Sequence, residues 1–371
     1  MFLLISHFLI AQRVGIGGYS ELSIYLPPGF SIQAAETDGR AFQLRNDVAP
    51  VSVIFRLYNK GRYASAKEAL SSSLKSLNTE FDLDSVKWRG QEAGIATFSV
   101  TLGNEELAGI AESALLPGDK SAVVVITWCP AEQFENLTAY MVSILDSLTI
   151  DAGSYFEAGI CTNYIFPPEE ETVPVKLNIA GKTINSVLKK NDVEAAQYVV
   201  EREYQATLLY SKDSRWQEAW ERYYKMIFKD SFKRLQRVSF DVYNVLSPFC
   251  VDETDLAQKL LTWTQSFSYE RSKTQSDFAC LPSLLLGGGS DCDSRSLLLT
   301  VFLRQMNQDA VFMVSAYYAH ALAAFVSTHP GHSFSYNDKD YLMGETTAPV
   351  SWGMIDSAQD DQSKWIFVDF P

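Results

Sequence analysis

The chain has 371 residues, of which 47% are hydrophobic and 20% are charged. This composition is typical of folded proteins with two domains or a little more, and it excludes a disordered chain. The formal net charge of −14 disfavours nucleic acid and anionic membrane surfaces as partners, because both are negatively charged.

The first residues, MFLLISHFLIA, form an apolar run about as long as the hydrophobic region of a signal peptide. Because no basic residue precedes this run, we interpret residues 1–12 as a truncated or mis-started secretion signal that ends near Gln12. This interpretation predicts an extracytoplasmic protein, either periplasmic or secreted. A buried first strand or helix is the alternative, and a cytoplasmic location stays open with it. No later stretch has the length and apolar character that would predict a membrane span in the mature chain.

Residues 13–150 have the pattern of an antiparallel sheet with helices on one face, an α+β arrangement. Runs rich in β-branched and aromatic residues predict strands at 50–58, 94–102, 107–115 and 122–128. Helical spacing of apolar residues predicts helices at 64–77 and 132–148. This order of elements resembles that of PsbP-like modules, which implies a binding or accessory domain. The region contains no cluster of residues that predicts catalysis.

The acidic segment Pro167–Thr172 predicts a linker, which we place at 151–186. Within it, VPVKLNIAGKTI predicts a short hairpin. Residues 187–250 are rich in Glu, Lys, Gln, Tyr and Trp, and they predict two or three amphipathic helices. We expect the charged faces of these helices to be solvated rather than catalytic.

Residues 251–371 predict a C-terminal α+β domain in which helices precede an antiparallel sheet. Asp252 and Thr254 are candidate N-caps of a helix through Trp263. The turn Gly287–Gly289 leads to Ser290-Asp-Cys, and DSRSLLLTVFLRQM predicts a buried helix at 293–306. Strands are predicted at 309–316, 319–327, 341–346 and 365–368.

Cys292 follows this glycine-rich turn and starts the predicted helix. The unpaired N–H groups and partial positive charge of a helix N-terminus stabilise a thiolate and lower a cysteine pKa. The position is therefore compatible with a reactive thiol, whereas Cys129, inside a predicted strand, is typical of a structural one.

His320 and Glu345 complete a candidate catalytic set. His320 starts the apolar strand AHALAAFV, and Glu345 lies near the end of the predicted strand in YLMGETTAP. An imidazole beside the Cys292 sulfur would activate it, and a carboxylate on the other ring nitrogen would fix the tautomer. Taken singly, His320 is more typical of a satisfied core residue and Glu345 of an ordinary strand-end acid.

The order of these residues resembles the transglutaminase-like family, whose sites are of the papain type. GGGSDCDSRSLLLTVFLRQMNQDAVFM resembles its cysteine turn and helix, AHALAAFV its histidine strand, and DYLMGETTAP its acid strand. WTQSFSYERS resembles the segment that precedes the cysteine. The resemblance covers 251–371, and Ser290 and Ala319 depart from it where glycine is usual.

The resemblance implies that Cys292 is the nucleophile, His320 the general base and acid, and Glu345 the orienting carboxylate. Gln265 is a possible oxyanion donor beside the Cys292 N–H, with a polar helix-end residue as the alternative. The implied reaction is acyl transfer on an amide of a peptide, protein or cell-wall substrate, by hydrolysis or cross-linking, without a cofactor. The competing hypothesis is a catalytically silent binding or scaffold protein. Neither the acyl acceptor nor the oligomeric state follows from the sequence.

The remaining cysteines and histidines do not predict a metal site. Five cysteines are present and no CxxC occurs, so at least one thiol is unpaired within the chain. Sequence does not choose between disulfides and buried thiols for the others. His329 and His332 have a spacing that a metal could use, but no carboxylate cluster accompanies them. We therefore expect a solvated loop there.

Overall fold

The computed structural model describes residues 13–16, 19–118, 120–270 and 276–371. These residues form two compact units, each built from two stretches of chain. The first unit runs to residue 167 and includes 202–223, and the second comprises 168–201 and 224–371. The predicted signal remnant at 1–12 lies outside the described residues. In the part of the chain that the structure describes, no helix combines the length and apolar character needed to cross a membrane.

An antiparallel sheet organises the first unit. The strands of this unit are β1 (Arg13–Ile16), β2 (Tyr19–Tyr25), β3 (Phe30–Ala35), β4 (Ala41–Asn46), β5 (Ser52–Tyr58), β6 (Glu80–Trp88), β7 (Gln91–Leu102), β8 (Glu105–Leu115) and β9 (Ala122–Pro130). Strands β3 to β9 form one seven-stranded sheet in the order β3-β4-β5-β9-β8-β7-β6, while β1 pairs with β2. The helices beside them are α1 (Ala66–Ser76), α2 (Phe134–Leu145) and α3 (Ile160–Ile165). The predicted strands and helices of this region are confirmed.

The central strand β9 explains why helices cover both faces of this sheet. Val123 packs in the core that contains Tyr140 of α2, whereas Val124 packs in the core that contains Leu70 of α1. The expectation that the helices lie on one face is therefore wrong. A continuous apolar run has no face suited to solvent, so both faces of the strand need a cover.

The segment predicted to be helical contains α4 (Asp192–Leu208) and α5 (Trp216–Leu246), and the boundaries between the units fall inside these helices. Helix α5 alone has 31 residues. The predicted hairpin is confirmed, because β10 (Thr172–Ile179) pairs antiparallel with β11 (Lys182–Lys189). The domain limits expected from the sequence stay a prediction.

The first unit contains a buried ionic cluster of two arginines and two carboxylates. Arg202 Nη1 lies 2.5 Å from Asp146 Oδ2, and Arg202 Nη2 lies 2.8 Å from Glu203 Oε1. Arg222 Nη1 lies 3.1 Å from the second oxygen of Glu203. These side chains are at most 4% exposed. Each charge thus has a partner, which is the condition under which buried ions are tolerated.

The second unit contains a five-stranded antiparallel sheet covered by a buried helix. Its strands are β12 (Ala310–Ser315), β13 (His320–Val326), β14 (Ser333–Tyr336), β15 (Lys339–Gly344) and β16 (Ile366–Val368), in the order β14-β15-β13-β12-β16. Its helices include α6 (Glu253–Gln265), α7 (Leu281–Leu285) and α8 (Cys292–Gln305). Helix α8 packs on β12 and β13, and all side chains of residues 297–303 are at most 1% exposed. The predicted α+β class and the buried helix are confirmed.

Candidate active site

Cys292 is the first residue of α8, and Asp291 caps this helix. The Asp291 carboxylate accepts hydrogen bonds from the backbone N–H of Ser294 at 2.9 Å and from its hydroxyl at 2.6 Å. The Asp291 N–H donates in return to Ser294 Oγ at 3.0 Å. This reciprocal capping box fixes the start of the helix, and it therefore fixes the backbone position of the cysteine.

His320 starts β13 and contacts Glu345, which directly follows β15. His320 Nε2 lies 2.7 Å from Glu345 Oε2. The other Glu345 oxygen accepts hydrogen bonds from the N–H and the hydroxyl of Thr347, each at 2.6 Å. Burial raises the pKa of Glu345, but the bonds from His320 and Thr347 outweigh burial and hold this pKa below its usual value. An ionised carboxylate therefore orients the imidazole, and Nδ1 is the ring nitrogen left for another partner.

The packing of α8 on β13 brings Cys292 to the strand that carries His320. Ser296 Oγ donates to the Ala321 carbonyl at 3.2 Å, and the Ala321 N–H faces the Cys292 sulfur. The three residues expected to form a catalytic set thus lie together in the second unit. Among the described residues, no hydrogen bond joins the Cys292 sulfur to His320, and the thiol donates instead to Asp293 Oδ1 at 3.1 Å.

The surroundings of Cys292 favour the thiol over the thiolate. Burial raises the pKa of Cys292, and the carboxylates of Asp293 and Asp291 raise it further, while the Ala321 N–H opposes them in part. The expectation that the helix N-terminus lowers this pKa is wrong. The side chain is only 4% exposed, so the loss of water and two nearby negative charges outweigh the partial positive charge of the helix.

Asp291 is perturbed by the same surroundings. Burial, followed by the nearby charge of Asp293, raises the pKa of Asp291 to about 7. Burial also raises the pKa of Asp293. The start of α8 therefore holds a carboxyl group with a raised pKa on either side of the candidate nucleophile.

Gln265, at the end of α6, is committed to backbone groups. Its side-chain nitrogen donates to the carbonyl oxygens of Glu345 and Val350, both at 2.8 Å. A side-chain amide has two N–H donors, so none remains for an oxyanion. This geometry does not support the oxyanion role predicted for Gln265. Its bonds anchor the segment that carries Glu345.

The two departures from the transglutaminase-like pattern have different structural results. Ser290 is fully buried, and its hydroxyl donates to Ser268 O at 3.0 Å and accepts from Arg295 Nε at 2.9 Å. Ala319 has a φ of 49°, in the left-handed region that favours glycine. The serine therefore adds hydrogen bonds, whereas the alanine places strain directly before His320.

Three residues that contact the site were not singled out from the sequence, namely Asp293, Thr347 and Arg295. Arg295 Nη2 donates to Phe267 O at 2.7 Å, and its Nη1 donates to Thr346 O at 3.3 Å. These bonds tie the start of α8 to two loops beside the site. Asp293 and Thr347 lie within two residues of a predicted site residue, and this proximity is the signal that could have found them. No comparable signal marks Arg295.

Outside this site, the cysteines and acidic groups offer one possible location for a metal ion among the described residues. All five cysteines are unpaired thiols. Among the described residues, one group has the separations needed to hold a metal ion, and it consists of Glu112, Asp146 and Cys161. One member of this group, Asp146, already pairs with Arg202 at 2.5 Å and thus belongs to the buried ionic cluster. The two histidines of the His-Pro-Gly-His segment do not belong to it.

Comparisons with known proteins find similarity in structure only. No protein-family model matches the chain, and no curated protein matches it. The PsbP structure of Synechocystis sp. PCC 6803 matches with 9% identity and a TM-score of 0.32, over 38% of this chain and 94% of that one. A Mog1 mutant matches with 15% identity and a TM-score of 0.29, over 38% of this chain and 97% of that one. The Ran-binding protein Mog1p of Saccharomyces cerevisiae matches with 14% identity and a TM-score of 0.26, over 35% of this chain and 84% of that one. These similarities concern the N-terminal part of the chain, and they identify no function.

Proposed function

We propose that residues 251–371 form a transglutaminase-like domain that performs thiol-dependent acyl transfer with Cys292, His320 and Glu345. The observation that carries the proposal is the Nε2–Oε2 distance of 2.7 Å between His320 and Glu345, on a strand that packs against the Cys292 helix. A carboxylate on one ring nitrogen leaves the other to exchange a proton with the thiol. The ionised state of Glu345 supports this assignment, because it stabilises the imidazolium that forms.

In this reaction His320 Nδ1 accepts the proton of the Cys292 thiol, and the sulfur attacks the carbonyl carbon of an amide. The oxyanion that develops lies beside the Cys292 N–H at the start of α8. The C–N bond breaks as His320 returns the proton to the leaving nitrogen, and a thioester remains on the sulfur. Water or an amine then gives a proton to His320 and attacks the thioester. His320 passes this proton to the departing sulfur, which completes hydrolysis or cross-linking.

The substrate class that fits this chemistry is an amide of a peptide, protein or cell-wall component. The steps use protons of the chain and of the acceptor alone, so the proposed reaction requires no cofactor. We propose an extracytoplasmic location, which rests on the apolar N-terminal run of the sequence. The region before residue 151 would then act as a binding or accessory domain.

A second candidate is a catalytically silent binding or scaffold protein. The thiol is 4% exposed, and it donates to Asp293 rather than to His320. A permanently closed site of this kind would leave recognition of a partner to other surfaces. The two candidates differ in whether His320 controls the chemistry of the sulfur.

The deciding experiment is the pH dependence of Cys292 alkylation by iodoacetamide, with mass-spectrometric assignment of the site. We expect His320→Ala to lower the rate at pH 7 by about tenfold or more, because a thiolate without an imidazolium partner is less stable. Glu345→Gln should lower it less, since the ring keeps a hydrogen-bond partner and loses only the negative charge. His329→Ala is the matched control, because the nearest acidic oxygen of that exposed histidine is 3.9 Å away, on Asp252. Identical profiles for wild type, His320→Ala and His329→Ala would favour the scaffold.

A further inference from the structure

The residue that follows Cys292 is the direct partner of its thiol. Cys292 Sγ donates to Asp293 Oδ1 at 3.1 Å. The Tyr224 hydroxyl donates to the second oxygen of the same carboxylate. The Asp293 side chain is therefore held between the thiol and a phenol, and the thiol hydrogen bonds to Asp293 rather than to His320.

Packing holds the phenol in place. The Tyr224 ring lies 4.5 Å from the Phe312 ring, centroid to centroid, and Phe312 is fully buried in β12. The centroid of the Tyr224 ring also lies 6.3 Å from the centroid of the Phe278 ring. A tyrosine fixed in this way presents its hydroxyl in one direction, so it selects one rotamer of Asp293.

Acidic groups dominate the surroundings of this contact. In the part of the chain that the structure describes, the ionisable groups that face the thiol or Asp293 include Asp291 from the helix cap, Asp277 from the preceding loop, Tyr224 from α5, His320 from β13 and Arg295 from α8. Arg295 donates its hydrogen bonds to the Ser290 hydroxyl and to two backbone carbonyls. Among the described residues, no arginine or lysine forms an ion pair with Asp293 in the way that Arg202 pairs with Asp146.

We propose that Asp293 is a positioning residue that holds the thiol hydrogen of Cys292 and turns it away from His320, so that the site rests in an inactive form. The inference rests on the proposed function, and it adds regulation to the same site. Release of the contact lets the thiol hydrogen turn to His320 Nδ1, and the proton then moves from sulfur to nitrogen without any further reactant. A substrate that displaces the Asp293 side chain would thereby activate the Cys292 sulfur that attacks it.

The test is the alkylation profile of Cys292 in Asp293→Asn and Tyr224→Phe, in the full chain. Asp293→Asn keeps the shape and removes the negative charge, so we expect alkylation at pH 7 to rise about tenfold, which corresponds to one unit in the thiol pKa. Tyr224→Phe keeps the carboxylate and loses its anchor, so a smaller rise is expected. Asp255→Asn is the matched control, because Asp255 lies in the first turn of α6 and pairs with Lys259.

The outcomes separate this inference from the proposed function. If Asp293→Asn raises the rate and the added His320→Ala change abolishes the gain, both stand. If the gain survives without His320, Asp293 holds the thiol but the proposed function fails. If His320→Ala slows alkylation while Asp293→Asn and Tyr224→Phe match the control, the inference fails and the function stands. Should Asp293→Asn not fold, as judged by circular dichroism, Tyr224→Phe decides alone.

Discussion

The two units each bury a cluster of charged side chains, and the clusters are built differently. In the first unit, Arg202 pairs with Asp146 and Glu203, and Arg222 pairs with Glu203, so each of these two carboxylates has an arginine partner. In the second unit, Asp291 and Asp293 flank a buried thiol, and the one histidine of the site bonds to Glu345. The first cluster pairs its carboxylates with arginines, as a structural element does, whereas the second keeps carboxyl groups with raised pKa values.

This difference between the two buried clusters indicates which of them is suited to proton transfer. A carboxylate that is paired with a buried arginine is stabilised in its ionised form, so it has little tendency to take up a proton. An unmatched cluster of acids holds protons that a small change of geometry can move. The same residue types therefore have opposite significance in the two units, and only the partners distinguish them.

The largest expected effect comes from breaking the matched cluster. Arg202→Met leaves the buried Asp146 without its cation and Glu203 with Arg222 alone, and we expect the free energy of unfolding of the first unit to fall by about 3–5 kcal/mol. Urea denaturation followed by circular dichroism measures the change. Lys190→Ala is the control, because it removes an exposed ion pair with Glu171 and should have little effect on stability. Equal effects of the two changes would refute the structural role of the buried cluster.

A smaller effect is expected from Asp291→Asn, and it depends on pH. A carboxyl with a folded-state pKa of about 7 and an ordinary value of 3.8 takes up a proton on folding. Its unfavourable contribution therefore grows as the pH rises from about 4 to about 7. Asparagine also caps helices, so the variant should gain stability relative to wild type between pH 5 and pH 8, on the order of 2 kcal/mol. Denaturation at both pH values measures this, and a difference that does not change with pH would contradict the buried charge.

The smallest effect is expected at the entrance to the histidine strand. Ala319 adopts a φ of 49°, and Ala319→Gly should raise the free energy of unfolding by about 0.5–1 kcal/mol, after the greater flexibility of glycine in the unfolded chain is counted. Thermal unfolding measures the gain. A loss of stability would mean that the Ala319 side chain makes packing contacts worth more than the strain.

The sequence predicts long and strongly patterned elements well. It predicts poorly those features that depend on contacts between residues far apart in the chain. The helix at 293–306 was predicted because its apolar run is uninterrupted, and it is buried as expected. Strand β6 was missed, because its alternation of Glu, Asp and Lys with half-buried residues lacks the strong apolar signal of a core strand. The two or three helices expected over 187–250 are present as α4 and α5, although nothing in the composition predicts the 31-residue length of α5.

The candidate site shows the same division. The order of Cys292, His320 and Glu345 along the chain predicts which residues meet, because turn, helix and strand signals surround each of them. The protonation of the sulfur was predicted with the wrong sign, since it depends on burial and on the rotamer of Asp293. That rotamer is selected by Tyr224, which lies 69 residues away in sequence, and no local pattern encodes such a contact.

The polar character that hid β6 from sequence analysis has a consequence for the behaviour of the protein in solution. Strand β6 ends the seven-stranded order, and the outer edge of a sheet presents N–H and C=O groups to which another chain can add. Glu80, Asp82 and Asp84 are exposed along this strand. A second molecule that approached with the same strand would bring like charges face to face. The repulsion between these carboxylates therefore disfavours edge-to-edge aggregation of the sheet.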